Sequence, residues 1–171
     1  MLVLMAGLPG TGKSTLSRAL AAELHGTVLD KDSIRAALFP ALDIEYSTEQ
    51  DDFCMAIMLK IAGYIFRKDP VRYVFLDGRT FSHAYQLKRA TGYAEAIGQQ
   101  WRIIECICTE ESAMRRLSNG EPHPAGNRNF DLYRQVKSRF EEIMLPKITM
   151  DTDRPIEQCI QSAKLRLVAE L

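Results

Sequence analysis

The 171-residue sequence has no surplus of charge, since 22 Lys and Arg stand against 22 Asp and Glu. A chain that grips long nucleic acid usually carries a basic excess, so an extended polyanion is a poor candidate for its partner. Cysteine is scarce. Cys54, Cys106, Cys108 and Cys159 form no C-x-x-C pair, and no histidine stands at metal-ligand spacing from them, which argues against a zinc framework. Cys106 and Cys108 alternate within an apolar run and are expected on one face of a buried strand. Long hydrophobic runs are missing too. The first six residues are apolar, but they are too few to cross a bilayer and they lead into a glycine loop. Reduced thiols and the lack of a signal peptide predict a cytoplasmic protein with no membrane partner. With no repeat, linker or low-complexity tract, residues 1–171 are expected to form a single domain.

What is present alternates between two periodicities. Short apolar runs at 1–6, 27–29, 73–76, 102–108 and 147–150 predict five buried strands. Helical patterns fill the intervals at 14–24, 48–67, 82–97, 131–144 and 155–170. Leu16, Leu20 and Leu24 mark the apolar face of the first, and Phe53, Ile57, Ile61 and Ile65 that of the second. Strands alternating with helices predict an α/β fold, a five-stranded parallel sheet covered on both faces. Residues 110–117 read as a short helix. After it, Pro122, Pro124, Gly120 and Gly126 interrupt regular structure. A long loop in a compact domain is commonly functional, so 111–130 is expected to be a lid.

The strongest local signal is Gly7-Leu8-Pro9-Gly10-Thr11-Gly12-Lys13-Ser14, a complete Walker A pattern between a predicted strand and a predicted helix. Its glycines let successive backbone N–H groups converge on phosphate oxygens without Cβ clashes. Lys13 adds positive charge, the Ser14 hydroxyl can ligate magnesium, and the helix that begins there points its positive end at the anion. The pattern predicts nucleotide contacts from Gly10, Thr11, Gly12, Lys13, Ser14 and Thr15.

Two further segments suit a second substrate. Asp30 and Asp32 follow the second strand, where an open parallel sheet binds its ligands. Asp30 suits a helix N-cap. Asp32 and Arg35, three residues apart, share a face of the next helix, where a carboxylate can accept a hydroxyl proton and an arginine can hold a phosphoryl group or the acceptor. Asp77 ends the third strand beside the phosphate loop, placed to bind magnesium through water or to position the acceptor. Gly78 allows close backbone approach, Arg79 is a candidate substrate contact, and Ser82 is the expected cap of the following helix. A GTP-dependent switch would show D-x-x-G after the third strand and a later N-K-x-D. Asp77-Gly78-Arg79-Thr80 fails the first test and the second motif is absent. A non-catalytic ATP-binding module would not need Asp32, Arg35 and Asp77 together.

In this order, the segment Gly7 to Thr15, Asp32-x-x-Arg35 and Leu76-Asp77-Gly78 resemble the P-loop kinases labelled AAA-family predicted kinases. That group is similar to the kinase domain of phage polynucleotide kinase, to chloramphenicol phosphotransferase and to zeta toxin. The resemblance implies a P-loop NTPase three-layer sandwich with a lid, ATP and Mg2+ as cofactors, and transfer of the γ-phosphate to a hydroxyl. It implies Asp32 as general base, Arg35 as a phosphate contact and Asp77 as an acceptor contact. It further implies lid arginines over the phosphates, from Arg115, Arg116 and Arg128, with Arg116 the best match. Thr152, in the segment Asp151-Thr152-Asp153-Arg154-Pro155, is implied to lie against adenine, while Thr152 or Asp153 also suits a cap for the last helix. Tyr133 and Arg134 are expected to border the acceptor pocket, and His123 to be a solvated loop residue. Zero net charge favours a small-molecule acceptor, with a nucleic-acid 5′-hydroxyl as the alternative.

Overall fold

The computed structural model describes residues 1–118 and 129–169. Strands and helices alternate as β1 (Leu2–Ala6), α1 (Lys13–Glu23), β2 (Thr27–Asp30), α2 (Lys31–Leu38), α3 (Thr48–Lys68), β3 (Val74–Asp77), α4 (Ala84–Ala96), β4 (Trp101–Ile107), α5 (Glu110–Ser118), α6 (Phe130–Lys137), β5 (Ile148–Asp151) and α7 (Ile156–Ala169). The strands form one sheet in the order β2-β3-β1-β4-β5, and every pairing is parallel. Central β1 is completely buried, which is why its sequence is a continuous apolar run rather than an alternation.

Successive strand side chains point to opposite faces, so this run supplies two cores. Leu2, Leu4 and Ala6 join Met58, Ala62, Leu87 and Ala90 beneath α3 and α4. Val3 and Met5 join Leu16, Leu20, Cys159 and Ala163 beneath α1 and α7. The result is the expected three-layer α/β sandwich. Among the described residues, no helix is long and apolar enough to cross a membrane.

Three local expectations are corrected. The inward face of α3 is Met55, Met58, Leu59, Ala62 and Phe66, whereas Phe53 is 54% exposed. Four residues of helix turn through roughly 400°, so a strict i+4 series drifts about 40° per step; it starts off the core at Phe53, and its later members Ile61 and Ile65 pack against the core only partly buried. The buried set alternates steps of three and four and stays on it. Next, α6 stops at Lys137, short of the expected 144. Beyond it the Glu141 N–H bonds the Ser82 carbonyl at 2.9 Å, and Ile143 enters the α3/α4 core; these long-range contacts replace the helix. Finally, the N-cap of α4 is His83, not Ser82. The Gln86 side chain accepts the His83 N–H at 3.4 Å, and the Glu141 carboxylate accepts the Ala84 N–H at 2.7 Å.

Candidate active site

β1 is the central strand, so the chain leaving its C-terminal end emerges between β3 and β4. There Gly7, Gly10 and Gly12 take φ values of 129°, 79° and 78°, a region that L side chains rarely adopt. Space is as restrictive as angle. A Cβ on Gly7 would stand 2.3 Å from the Cys106 carbonyl oxygen, and one on Gly10 would stand 2.9 Å from that of Ala113. The glycine pattern thus records a backbone pressed against β4 and α5.

Gly12 is the N-cap of α1 with no side-chain cap bond, and the first turn carries no acidic residue. A helix start so equipped suits an anion. The Lys13 ammonium donates to the carbonyls of Gly7 at 2.8 Å and Leu8 at 2.7 Å, which places its charge over the loop. Thr11 donates its hydroxyl to Leu8 at 2.7 Å. Gly10, Gly12, Lys13 and Ser14 line a cavity of about 170 Å³. Thr15 is exposed and Thr11 is buried, and neither lines that cavity.

The same cavity receives Lys31, Asp32, Tyr46, Asp51, Asp77, Gly78, Arg79 and Thr80. Strand ends bring them together: Asp30 ends β2 directly beside Asp77, which ends β3. Asp30 accepts the Ser33 N–H at 2.8 Å, so it is the N-cap, as expected. Gly78 has φ 83°, and a Cβ there would lie 2.8 Å from the Lys31 nitrogen. Its lack of a side chain lets the exit of β3 touch the start of α2. The following segment turns back, and the Thr80 carbonyl accepts the Gly7 N–H at 3.0 Å.

Asp77 is fully buried. Its Oδ2 accepts from the Ser17 hydroxyl at 3.3 Å, while its Oδ1 has no partner among the described residues. A buried carboxylate oxygen without a partner is costly, and beside Ser14 and the phosphate loop it fits a magnesium ion and its water shell. No group of three or more His, Cys, Asp or Glu able to hold a metal occurs among the described residues. Such an ion would therefore complete its coordination with phosphate oxygens and water, as magnesium usually does.

Asp32 and Arg35 are joined at 2.5 Å, but Arg35 is only 1% exposed. A second guanidinium nitrogen pairs with Asp51, and the guanidinium carbon lies over the Tyr46 ring, 5.3 Å from its centroid. Lys31 also bridges both carboxylates, at 2.7 Å to Asp51 and 3.4 Å to Asp32. Asp51 was not among the sequence-based candidates. In the sequence it is one of two acidic residues in the first turn of α3, where a carboxylate ordinarily serves only the helix dipole. Arg79 pairs with Asp52 at 2.6 Å.

The lid candidates divide. Arg116 donates to the Thr152 carbonyl at 2.7 Å, to the Thr152 hydroxyl at 3.1 Å and to the Gly10 carbonyl at 3.4 Å. It clasps the turn after β5 to the phosphate loop instead of reaching into the cavity. Arg115 donates to Ser112 on its own helix at 3.2 Å. Arg128 and His123 lie outside the described residues. The Thr152 hydroxyl reaches the Thr11 carbonyl at 2.9 Å, which sets it against the loop's outer edge. Asp153 accepts the Thr109 N–H at 2.8 Å, so it serves the start of α5 rather than capping α7. That bond, the largest cause, holds its pKa below the ordinary aspartate value. From α6, Leu132 and Val136 line the cavity. The expected Tyr133 and Arg134 do not: Tyr133 is buried against the Phe130 ring, and Arg134 lies over that same ring.

Cys106 faces the inner core, where burial pushes its thiol up to about 12. Cys108 lies just beyond the end of β4 and is half-buried, so the two do not share the expected strand face. Its pKa is also raised, chiefly by burial, and neither thiol is poised for chemistry.

A parallel sheet with a glycine-built phosphate loop between its central strands defines a P-loop nucleotide-binding fold of the kinase type. A family model described as an AAA domain matches residues 2–143. The chain belongs to that family, a family of P-loop kinases. No curated protein sequence matches it. Among solved structures, a protein from Chloroflexus aurantiacus described as a kinase superposes with TM-score 0.73 at 22% identity, covering 95% of this chain and 96% of the other. The APS kinase of Mycobacterium tuberculosis in complex with AMPPNP and APS gives TM-score 0.69 at 17% identity, covering 99% and 97%. A gluconokinase from Sinorhizobium meliloti gives 0.68 at 14% identity, covering 98% and 93%. Likeness at these identities shows the shared fold.

Proposed function

We propose that the protein is an ATP-dependent kinase that transfers the γ-phosphate to a hydroxyl of a small-molecule acceptor, with Asp32 as general base. One observation carries the reading: Asp32, Lys13, Ser14 and Asp77 line a single cavity. A phosphate bound at the loop would share that cavity with a carboxylate. The loop N–H groups and Lys13 bind the triphosphate. Magnesium, held by Ser14 and by Asp77 through water, would neutralise charge on the phosphate oxygens. The acceptor oxygen forms a bond to the γ-phosphorus as the bond from that phosphorus to the β,γ-bridging oxygen breaks. ADP leaves, and the hydroxyl proton passes to Asp32. Arg35 and Lys31 both bond Asp32 Oδ1, which orients the carboxylate and leaves Oδ2 for the proton.

The experiment is transfer of label from γ-labelled ATP to a panel of hydroxyl compounds. Asp32→Asn is expected to bind AMPPNP as the wild type does and to lose transfer by ~10²-fold or more, as removal of a general base does. Loss of AMPPNP affinity in that variant would make Asp32 a structural residue and overturn its assignment.

A further inference from the structure

On the acceptor side of the cavity, each cation among the described residues is matched by a carboxylate. Lys31 lies 2.7 Å from Asp51 and 3.4 Å from Asp32. Arg35 lies 2.5 Å from Asp32 and also pairs with Asp51. Arg79 lies 2.6 Å from Asp52. Of these, Lys31 and Arg79 line the cavity with Asp32 and Asp51, two cations against two carboxylates, so the wall sums to zero; Arg35 lies behind it, and Asp52 also takes Arg89 at 3.9 Å. The side chains of Lys31, Arg35 and Arg79 are only 9%, 2% and 4% exposed.

A phosphate, sulfate or carboxylate on the acceptor would have to displace one of these carboxylates or lie against them. In a partly desolvated pocket that opposition is stronger than in water. Hydroxyl groups face no such conflict. They donate to the oxygens of Asp32 and Asp51, accept from Lys31 and Arg79, and bring no net charge. The Tyr46 ring lines the same cavity and offers an apolar surface to a compact ring or chain.

We propose that the acceptor is a neutral, polyhydroxylated small molecule, and that the paired wall rejects anionic acceptors, including phosphorylated nucleic-acid ends. This rests on the kinase reading above. AMPPNP binding, measured first by calorimetry, judges that reading by itself. Inorganic phosphate is then titrated into the AMPPNP-saturated protein while the backbone amide signals of Tyr46 and Gly78 are followed by NMR. The wild type is expected to show no saturation below about 10 mM, an affinity weaker than ~3 kcal/mol. Asp51→Asn, which takes the nearer carboxylate from Lys31 and leaves Asp32 alone to match Lys31 and Arg35, is expected to bind phosphate at least ~10-fold more tightly. Asp52→Asn, which releases Arg79, gives the same reading if the first variant does not fold. Saturable phosphate binding at the wild-type wall, or unchanged affinity in the folded variants, overturns the proposal. Should AMPPNP not bind, the kinase reading falls, and the difference in phosphate affinity between Asp51→Asn and the wild type, whose loops are the same, still tests the wall. With labelled ATP, neutral sugars, polyols and nucleosides are expected to exceed their carboxylated or phosphorylated counterparts by ~10-fold or more in kcat/KM. The opposite preference also overturns it.

Discussion

The phosphate loop and the charged wall proposed to hold the acceptor line one cavity, yet they are built from different materials. The loop is backbone: three glycines at positive φ and the uncapped start of a helix, all within a few residues. The wall and its backing are side chains: Lys31 and Arg35 from α2, Asp51 and Asp52 from α3 and Arg79 from the turn after β3, joined by ion pairs across up to 27 residues, from Asp52 to Arg79. A backbone site is specified locally, because φ and the absence of Cβ are properties of each residue. A side-chain site is specified only when the fold brings its parts together. The first kind suits a ligand feature common to many substrates, the triphosphate. The second can differ between proteins of one fold, as the acceptor requires.

The sharpest test of this division removes one charge from each half. Lys13→Ala is expected to abolish nucleotide binding or to lower turnover by more than ~10²-fold; unchanged activity would sink the phosphate-loop assignment. Gly7→Ala attacks the same half through the backbone. Its Cβ has no room against the Cys106 carbonyl, so a loss of roughly 3 kcal/mol or more is expected in denaturant unfolding. An unperturbed midpoint would show that the loop can yield.

Asp51→Ala should separate the halves. It leaves Lys31 and Arg35 short of a partner, and unfolding is expected to lose roughly 1–3 kcal/mol, since the pair is only partly buried. Acceptor KM should rise while AMPPNP affinity stays within about twofold. A matching loss of nucleotide affinity would mean that the two sites are not independent.

The smallest effect belongs to Asp153, which ties the turn after β5 to α5. Its pKa is lowered in the folded state, so its stabilisation is fully present above the unfolded value of ~3.9. It is lost as pH falls through the lower folded value. The Tm difference between wild type and Asp153→Asn should therefore be largest near neutrality and shrink in acid. A difference independent of pH would make the contact one of shape rather than charge.

Much of the nucleotide half was legible because its cause is local. The five strands fall within one or two residues of their apolar runs, and Asp32 and Asp77 reach the cavity where strand ends predict. Asp51 was not legible. An acidic residue in the first turn of a helix looks the same whether it serves the dipole or reaches another helix. The inward face of α3 was misjudged for a related reason: the helix carries apolar residues on several faces, and only its packing against the sheet selects one. Arg116 stood where a lid arginine is expected, but its partners Thr152 and Gly10 lie 36 and 106 residues away.

The sequence by itself determined the sheet, the phosphate loop and the positions of Asp32 and Asp77, since burial periodicity and glycine geometry are written residue by residue. Only the tertiary structure decided that Asp51 joins Lys31 and Arg35, that Arg79 is held by Asp52, and that Arg116 clasps the turn after β5. Those are choices of partner among many charged side chains of equal local standing. Distance in the folded chain settles them.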